Sequence, residues 1–174
     1  MKACFFHFLC IAMFFGCAAK NKSTTPEVNV PAPFEKIIFH TSMCFGTCPV
    51  YHMEVDGNKN VKLHAETIFA RGVGIQRDSS KIGYFKGTAN DTAFDDLTHE
   101  IQTLGIDTLN FGNARCCDGS LITIIVYHDG KRKFMQSMFP PARTRNLISA
   151  LYAICEKSKL EKTEEKFIIE DSEK

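Results

Sequence analysis

Leu121-Ile122-Thr123-Ile124-Ile125-Val126-Tyr127-His128-Asp129-Gly130-Lys131-Arg132-Lys133-Phe134-Met135 decides the fold. Ile122, Ile124 and Val126 alternate with Thr123, Ile125 and Tyr127, all β-branched or aromatic, so Leu121 to His128 reads as a strand. Asp129-Gly130 tolerates the positive φ of a two-residue hairpin turn, and Lys131 to Met138 returns as the partner strand. An antiparallel sheet is the expectation.

Upstream, the period changes. Phe94, Leu97, Ile101 and Leu104 recur at helical spacing, with Asp95, Asp96 and Glu100 on the opposite side, cap residues at Thr88 to Thr92, and Gly105 as the stop. Asp95 and Asp96 suit the positive helix N-terminus and point in different directions, so they are not a catalytic pair. Downstream, Pro140-Pro141 opens a second helix whose inward stripe is Leu147, Leu151 and Ile154, with Ile148 and Cys155 beside it.

The N-terminal half repeats the strand logic. Phe34 to Thr41 is a first strand. Tyr51, Met53 and Val55 alternate with His52 and Glu54, the pattern stops at Asp56-Gly57-Asn58, and Val61, Leu63 and Ala65 alternate with Lys62, His64 and Glu66. A hairpin from Val50 to about Phe69 follows, then a bend at Arg71-Gly72-Val73-Gly74 and a strand at Lys81 to Lys86. The two glycines lack the third glycine and the helix of a dinucleotide fingerprint. The expected fold is α+β: an antiparallel sheet of about six strands with two hairpins and two helices on one face, in the order β-β-β-β-α-β-β-α.

The ends are of another character. The apolar run Ala3 to Phe15 covers 13 residues after Lys2 and ends at Gly16-Cys17. A spanning helix needs roughly 20, so residues 1–16 read as a secretory leader. The small residue before Cys17 resembles the lipobox of bacterial lipoproteins, although Phe14 stands where Leu is usual. That resemblance implies acylation of Cys17 with palmitate-like chains, a membrane anchor, and, with no Asp at position 18, the outer rather than the inner membrane. Residues 17–33 form a polar, proline-bearing tether, 34–160 the domain, and 161–174 a charged tail in which Phe167-Ile168-Ile169 adds an edge strand or packs down. Removing the leader takes away one Lys and no acid, leaving 20 basic against 20 acidic residues. No net field draws in nucleic acid, so none is expected as a partner.

Between the first two strands lies Met43-Cys44-Phe45-Gly46-Thr47-Cys48-Pro49-Val50-Tyr51. Gly46 permits a tight bend and Pro49 starts the next strand. With Cys17 acylated, five cysteines remain as disulfide candidates, Cys44, Cys48, Cys116, Cys117 and Cys155, and their odd number leaves a free thiol. A Cys44 to Cys48 bridge contributes about 2 kcal/mol on the chain-entropy estimate, and a bridge from either to Cys116 or Cys117, closing about 70 residues, about 4 kcal/mol. Cys155 is a buried thiol or a partner of the vicinal pair.

The motif and its flanks, roughly Ile37 to Cys155, resemble an uncharacterised family of bacterial envelope proteins, many of them lipoproteins, marked by Cys-Phe-Gly-Thr-Cys-Pro-Val-Tyr. The resemblance implies a compact envelope domain and the local Cys44–Cys48 bridge, since the family's motif cysteines come without the vicinal pair. It implies no activity.

Two chemistries merit weighing. His40, Cys44, Cys48 and His52 are an alternative soft-metal set for copper or zinc, against which a lone strand histidine is ordinarily just an exposed ring. Thiol redox at Cys44 and Cys48 is the other, although the spacing is three rather than two and a strand follows instead of a helix. Neither Gly-x-Ser-x-Gly nor His-Glu-x-x-His occurs. The basic residues Lys131, Arg132, Lys133, Arg143 and Arg145 read as a solvated face. The expectation is a non-enzymatic envelope lipoprotein without a cofactor, whose domain meets another envelope protein.

Overall fold

A computed structural model of the chain describes residues 32–70, 72 and 75–171. The leader, the Cys17 anchor, most of the tether, three residues of the glycine bend and the last three residues lie outside them. Seven strands and two helices follow in sequence: β1 (Lys36–Thr41), β2 (Val50–Asp56), β3 (Asn60–Thr67), β4 (Gly83–Thr88), α1 (Asp91–Leu104), β5 (Ile122–His128), β6 (Lys131–Ser137), α2 (Arg145–Lys157) and β7 (Lys159–Thr163).

The strands form one sheet in the order β6-β5-β1-β2-β3-β4-β7, with every neighbouring pair antiparallel. The fold is therefore α+β, with seven strands instead of about six. β1 is the middle of the β5-β1-β2 triple, pairing from Lys36↔Asp56 to His40↔His52 on one side and from Lys36↔Tyr127 to Thr41↔Ile122 on the other. The two expected hairpins are β2–β3 and β5–β6. At the second, Asp129 and Gly130 both hold positive φ, 50° and 68°, the conformation whose twist matches a two-residue turn.

The alternation seen in the sequence decides the layers. Ile37, Phe39, Met53, Val55, Leu63, Ile124 and Val126 meet Phe94, Leu97 and Ile101 of α1 and Leu147, Leu151 and Ile154 of α2 in the main core. α1 is capped by the Asn90 side chain, whose Oδ1 accepts from Ala93 N–H at 3.1 Å, and closed by Gly105 at φ 64°. Asn90 caps because Thr88 is taken by β4. That strand begins two residues later than expected, after a single 3-10 turn at Ser79–Lys81. Pro141 stays extended at ψ 140°, so a second such turn at Ala142–Thr144 precedes α2.

The seventh strand, β7, takes Lys159 to Thr163, across the boundary expected at 160/161. Its Lys-Leu-Glu-Lys-Thr sequence has little strand character, but the free edge of β4 supplies a ladder from Tyr84↔Thr163 to Thr88↔Lys159. Gly87 makes the approach possible. A Cβ there would collide with the Lys159 carbonyl and lie 3.0 Å from Leu160 Cα. Gly87→Ala is expected to push β7 off the edge at a cost of about 1–3 kcal/mol, read as a lowered urea midpoint and as faster amide exchange confined to β4 and β7.

Candidate functional site

Three features are candidates: the motif loop, a cleft that the loop walls, and a row of rings on the opposite sheet face. Its stem is held by Thr41, which is 2% exposed. The Thr41 hydroxyl donates to the Pro49 carbonyl at 2.8 Å and accepts from Tyr51 N–H at 2.9 Å. Cys44 and Cys48 are joined in a disulfide. At the apex, Phe45 is 90% and Met43 63% exposed. The loop between α1 and β5 buttresses it: Phe45 N–H donates to the Asp118 carbonyl at 3.0 Å, and Ser120 Oγ to the Ser42 carbonyl at 2.7 Å. That same loop carries Cys116 and Cys117, both exposed and free, whereas Cys155 is free and buried. Burial pushes the Cys155 thiol far up, so it stays protonated and is a packing group rather than a nucleophile.

The second feature is a cleft of about 1000 Å3 on the helical side. α2 covers the β1–β2 part of the inner sheet face, where the Tyr152 ring meets Phe39 at 5.2 Å and Tyr51 at 6.1 Å between centroids. The β3–β4 part is left as a floor of Leu63, Ala65 and Phe85. Thr47, Pro49 and Tyr51 of the motif form one wall, residues 68–70 another, and Lys81, Lys157 and Ser158 supply polar groups. An apolar floor with a few polar groups is the usual make-up of a ligand site, and this volume lies at the upper end for one.

The third feature is on the opposite sheet face. His40, His52, His64 and Tyr84 stand side by side on β1 to β4 through the pairs His40↔His52, His52↔His64 and His64↔Tyr84. His64 stacks on Tyr84 with centroids 4.2 Å apart and planes 5° apart. The C-terminal segment lies over the end of this row. Tyr84 meets Phe167 edge-on at 5.1 Å, Ile169 joins Ile38 and Ile125 in a second small core, and Glu170 takes hydrogen bonds from Tyr127 Oη at 2.6 Å and Arg132 Nε at 2.8 Å.

Hydrogen-bond polarity assigns the tautomers. His40 Nε2 lies 2.7 Å from the Glu170 carbonyl and must donate to it. In neutral His40, Nδ1 is then an acceptor, and His52 Nδ1–H donates to it at 2.9 Å. His52 Nε2 faces the Glu66 carboxylate at 3.3 Å, a pairing that needs a proton on that nitrogen. The row therefore opposes a positive charge on His40. Burial, with the His52 charge beside it, holds His40 below the ordinary histidine range, against an opposing hydrogen bond to the Glu170 backbone. His64 is lowered for the same two reasons, burial first.

Of the alternative metal set, His40 and His52 come together, while the Cys44 and Cys48 sulfurs are bonded to each other. Among the described residues no group of three or more His, Cys, Asp or Glu side chains stands in metal-holding geometry. Gly46 and Pro49 sit in the loop as the bend and the strand entry. Of the basic residues, Arg132 pairs with Glu170, and Lys133 donates to the Asp107 carbonyl at 3.0 Å. His64 and the cleft residues 68–70 were missed in the sequence. His64 carried a signal, as an outward position of a strand paired to the one bearing His52.

These features mark an α+β domain with a disulfide-closed crossover between its first two strands. A family model described as "Domain of unknown function (DUF6438)" matches residues 35–155. The match takes in the whole sheet except β7, together with both helices except the last two residues of α2, and the chain belongs to that family. Comparison with curated proteins returns no match.

Proposed function

We propose that the chain is a lipid-anchored envelope protein whose domain is a non-catalytic binding module, taking a segment of another envelope protein in the cleft beside the motif. The observation that carries this reading is the wall of the cleft: Thr47, Pro49 and Tyr51 belong to the Cys44–Tyr51 motif on which the sequence resemblance rests. The cleft floor is apolar, which suits an apolar stretch, and at its polar side Lys157 stands beside Glu156 while Lys81 pairs with Asp78 at 3.1 Å. The Gly16-Cys17 junction supports the anchor.

An anionic naphthalene sulfonate dye matches that chemistry and serves as the probe on the purified mature chain. Saturable binding is expected, weakened about tenfold by Ala70→Trp, which fills the cleft from its wall, a change equivalent to about 1.4 kcal/mol. In cells, labelling with an alkynyl palmitate is expected on the wild-type chain and not on Cys17→Ser. Dye binding that is unsaturable, or unchanged in Ala70→Trp, removes the cleft from the account, and labelling that survives Cys17→Ser removes the anchor.

A further inference from the structure

Cys116 and Cys117 are exposed and unbonded, and the neighbouring Cys117 raises the Cys116 thiol. The loop that carries them is fixed on both flanks. The Ala114 carbonyl accepts from Met138 N–H at 2.8 Å, and the Asp118 carbonyl accepts from Phe45 N–H at 3.0 Å. Phe45 directly follows Cys44, and Asp118 directly follows Cys117. Each cysteine is thus one residue away from a backbone contact between the two loops. A disulfide spans Cα separations up to about 6.8 Å, and the 3.0 Å hydrogen bond between Phe45 N–H and the Asp118 carbonyl holds the chain next to Cys44 against the chain next to Cys117.

We propose that Cys116 and Cys117 form a dithiol that exchanges with the Cys44–Cys48 disulfide, so that the four sulfurs at this end of the sheet act as one thiol-exchange centre. Cys117 directly precedes Asp118, whose carbonyl accepts from the Phe45 N–H next to Cys44, and is therefore the attacking sulfur. The Cys117 thiolate attacks Sγ of Cys44. The Cys44–Cys48 bond breaks as the Cys117–Cys44 bond forms, and Cys48 departs with the electron pair as a thiolate, taking up the proton that Cys117 gave to solvent. One disulfide exists before and after the step, so no outside oxidant or reductant is required. None of these sulfurs is needed for dye binding in the cleft, so the two readings stand or fall separately.

The test follows the mature chain, prepared with the Cys44–Cys48 bond, during incubation without oxygen at mildly alkaline pH. Samples are acid-quenched, alkylated and mapped as peptides by mass spectrometry. The expected result is a growing Cys44–Cys117 linked peptide with matching alkylation of Cys48, the latter about tenfold slower in Cys117→Ser. Both variants replace exposed residues, and circular dichroism verifies their fold. Cys116→Ser is expected to retain the link, formed more slowly. A wild-type chain that keeps only the Cys44–Cys48 bond, with both loop thiols alkylated at every time point, overturns the proposal. A link made from Cys116 instead overturns the assignment of Cys117 as the attacking sulfur.

Discussion

Phe39→Ala is expected to lower the stability of the domain by about 3–5 kcal/mol, the range for deleting a fully buried aromatic ring. Phe39 is 0% exposed and stands on β1, which has a paired strand on each side. Neither flank can close over the vacated volume without breaking a ladder. Its ring also meets Tyr152 of α2 edge-on, and Tyr152 in turn meets Tyr51. The loss is therefore expected to loosen α2 along the border of the cleft as well as to weaken the core. The chain has no Trp, so urea unfolding is followed by circular dichroism, with Tyr emission reporting the cluster. A loss below about 1 kcal/mol would contradict the central placement of this ring.

Deleting residues 164–174 is expected to cost about 3 kcal/mol, the scale of losing the burial of Ile169 and re-exposing its partners Ile38 and Ile125, read as a lowered urea midpoint. In the intact chain, His40 binds a proton less readily folded than unfolded, because burial and the His52 charge oppose it. The unfolded chain therefore gains protons first as pH falls below 6.5, the value for a free histidine. This contribution to stability is fully present above that pH and is lost as pH descends toward the folded value. His64 acts in the same direction. Melting temperature is thus expected to drop from about pH 7 to about pH 5 in the intact chain. His40→Asn, which does not titrate there, should show a shallower drop. An equal slope in the intact and His40→Asn chains would mean that His40 is not the group responsible.

Much of the fold could be read from the residues because two periodicities govern it. The period-2 runs of 50–56 and 60–67 and the helical stripe from Phe94 to Ile101 each bury one face, so a shift of either strand's register would place polar groups in the core, while 122–128 is buried on both faces and reads as a strand from its β-branched run. β7 escaped because its placement depends on an edge far away in sequence and on the missing side chain of Gly87, not on its own charged residues. The histidine row escaped for a related reason: each strand showed its outward positions, but which residues stand abreast depends on register between strands. The cleft depends on where α2 stops covering the sheet, which no local pattern encodes. For the five cysteines, spacing left several pairings open. The motif resemblance implied the Cys44–Cys48 bridge that the structure contains, while the buttressing of that loop by Asp118 and Ser120 could be seen only in three dimensions.

β1 begins where the described chain enters the sheet and ends at the motif loop, with antiparallel ladders along both sides. In a chain anchored at its N-terminus and held by a partner at the loop end, tension would run along this strand. The backbone hydrogen bonds of both ladders lie perpendicular to that pull, so they would share the load and have to slide together instead of opening one at a time. The outer strands β6 and β7 lie off that line, so the domain would resist stretching best through the strand that links its proposed tether to its proposed binding end.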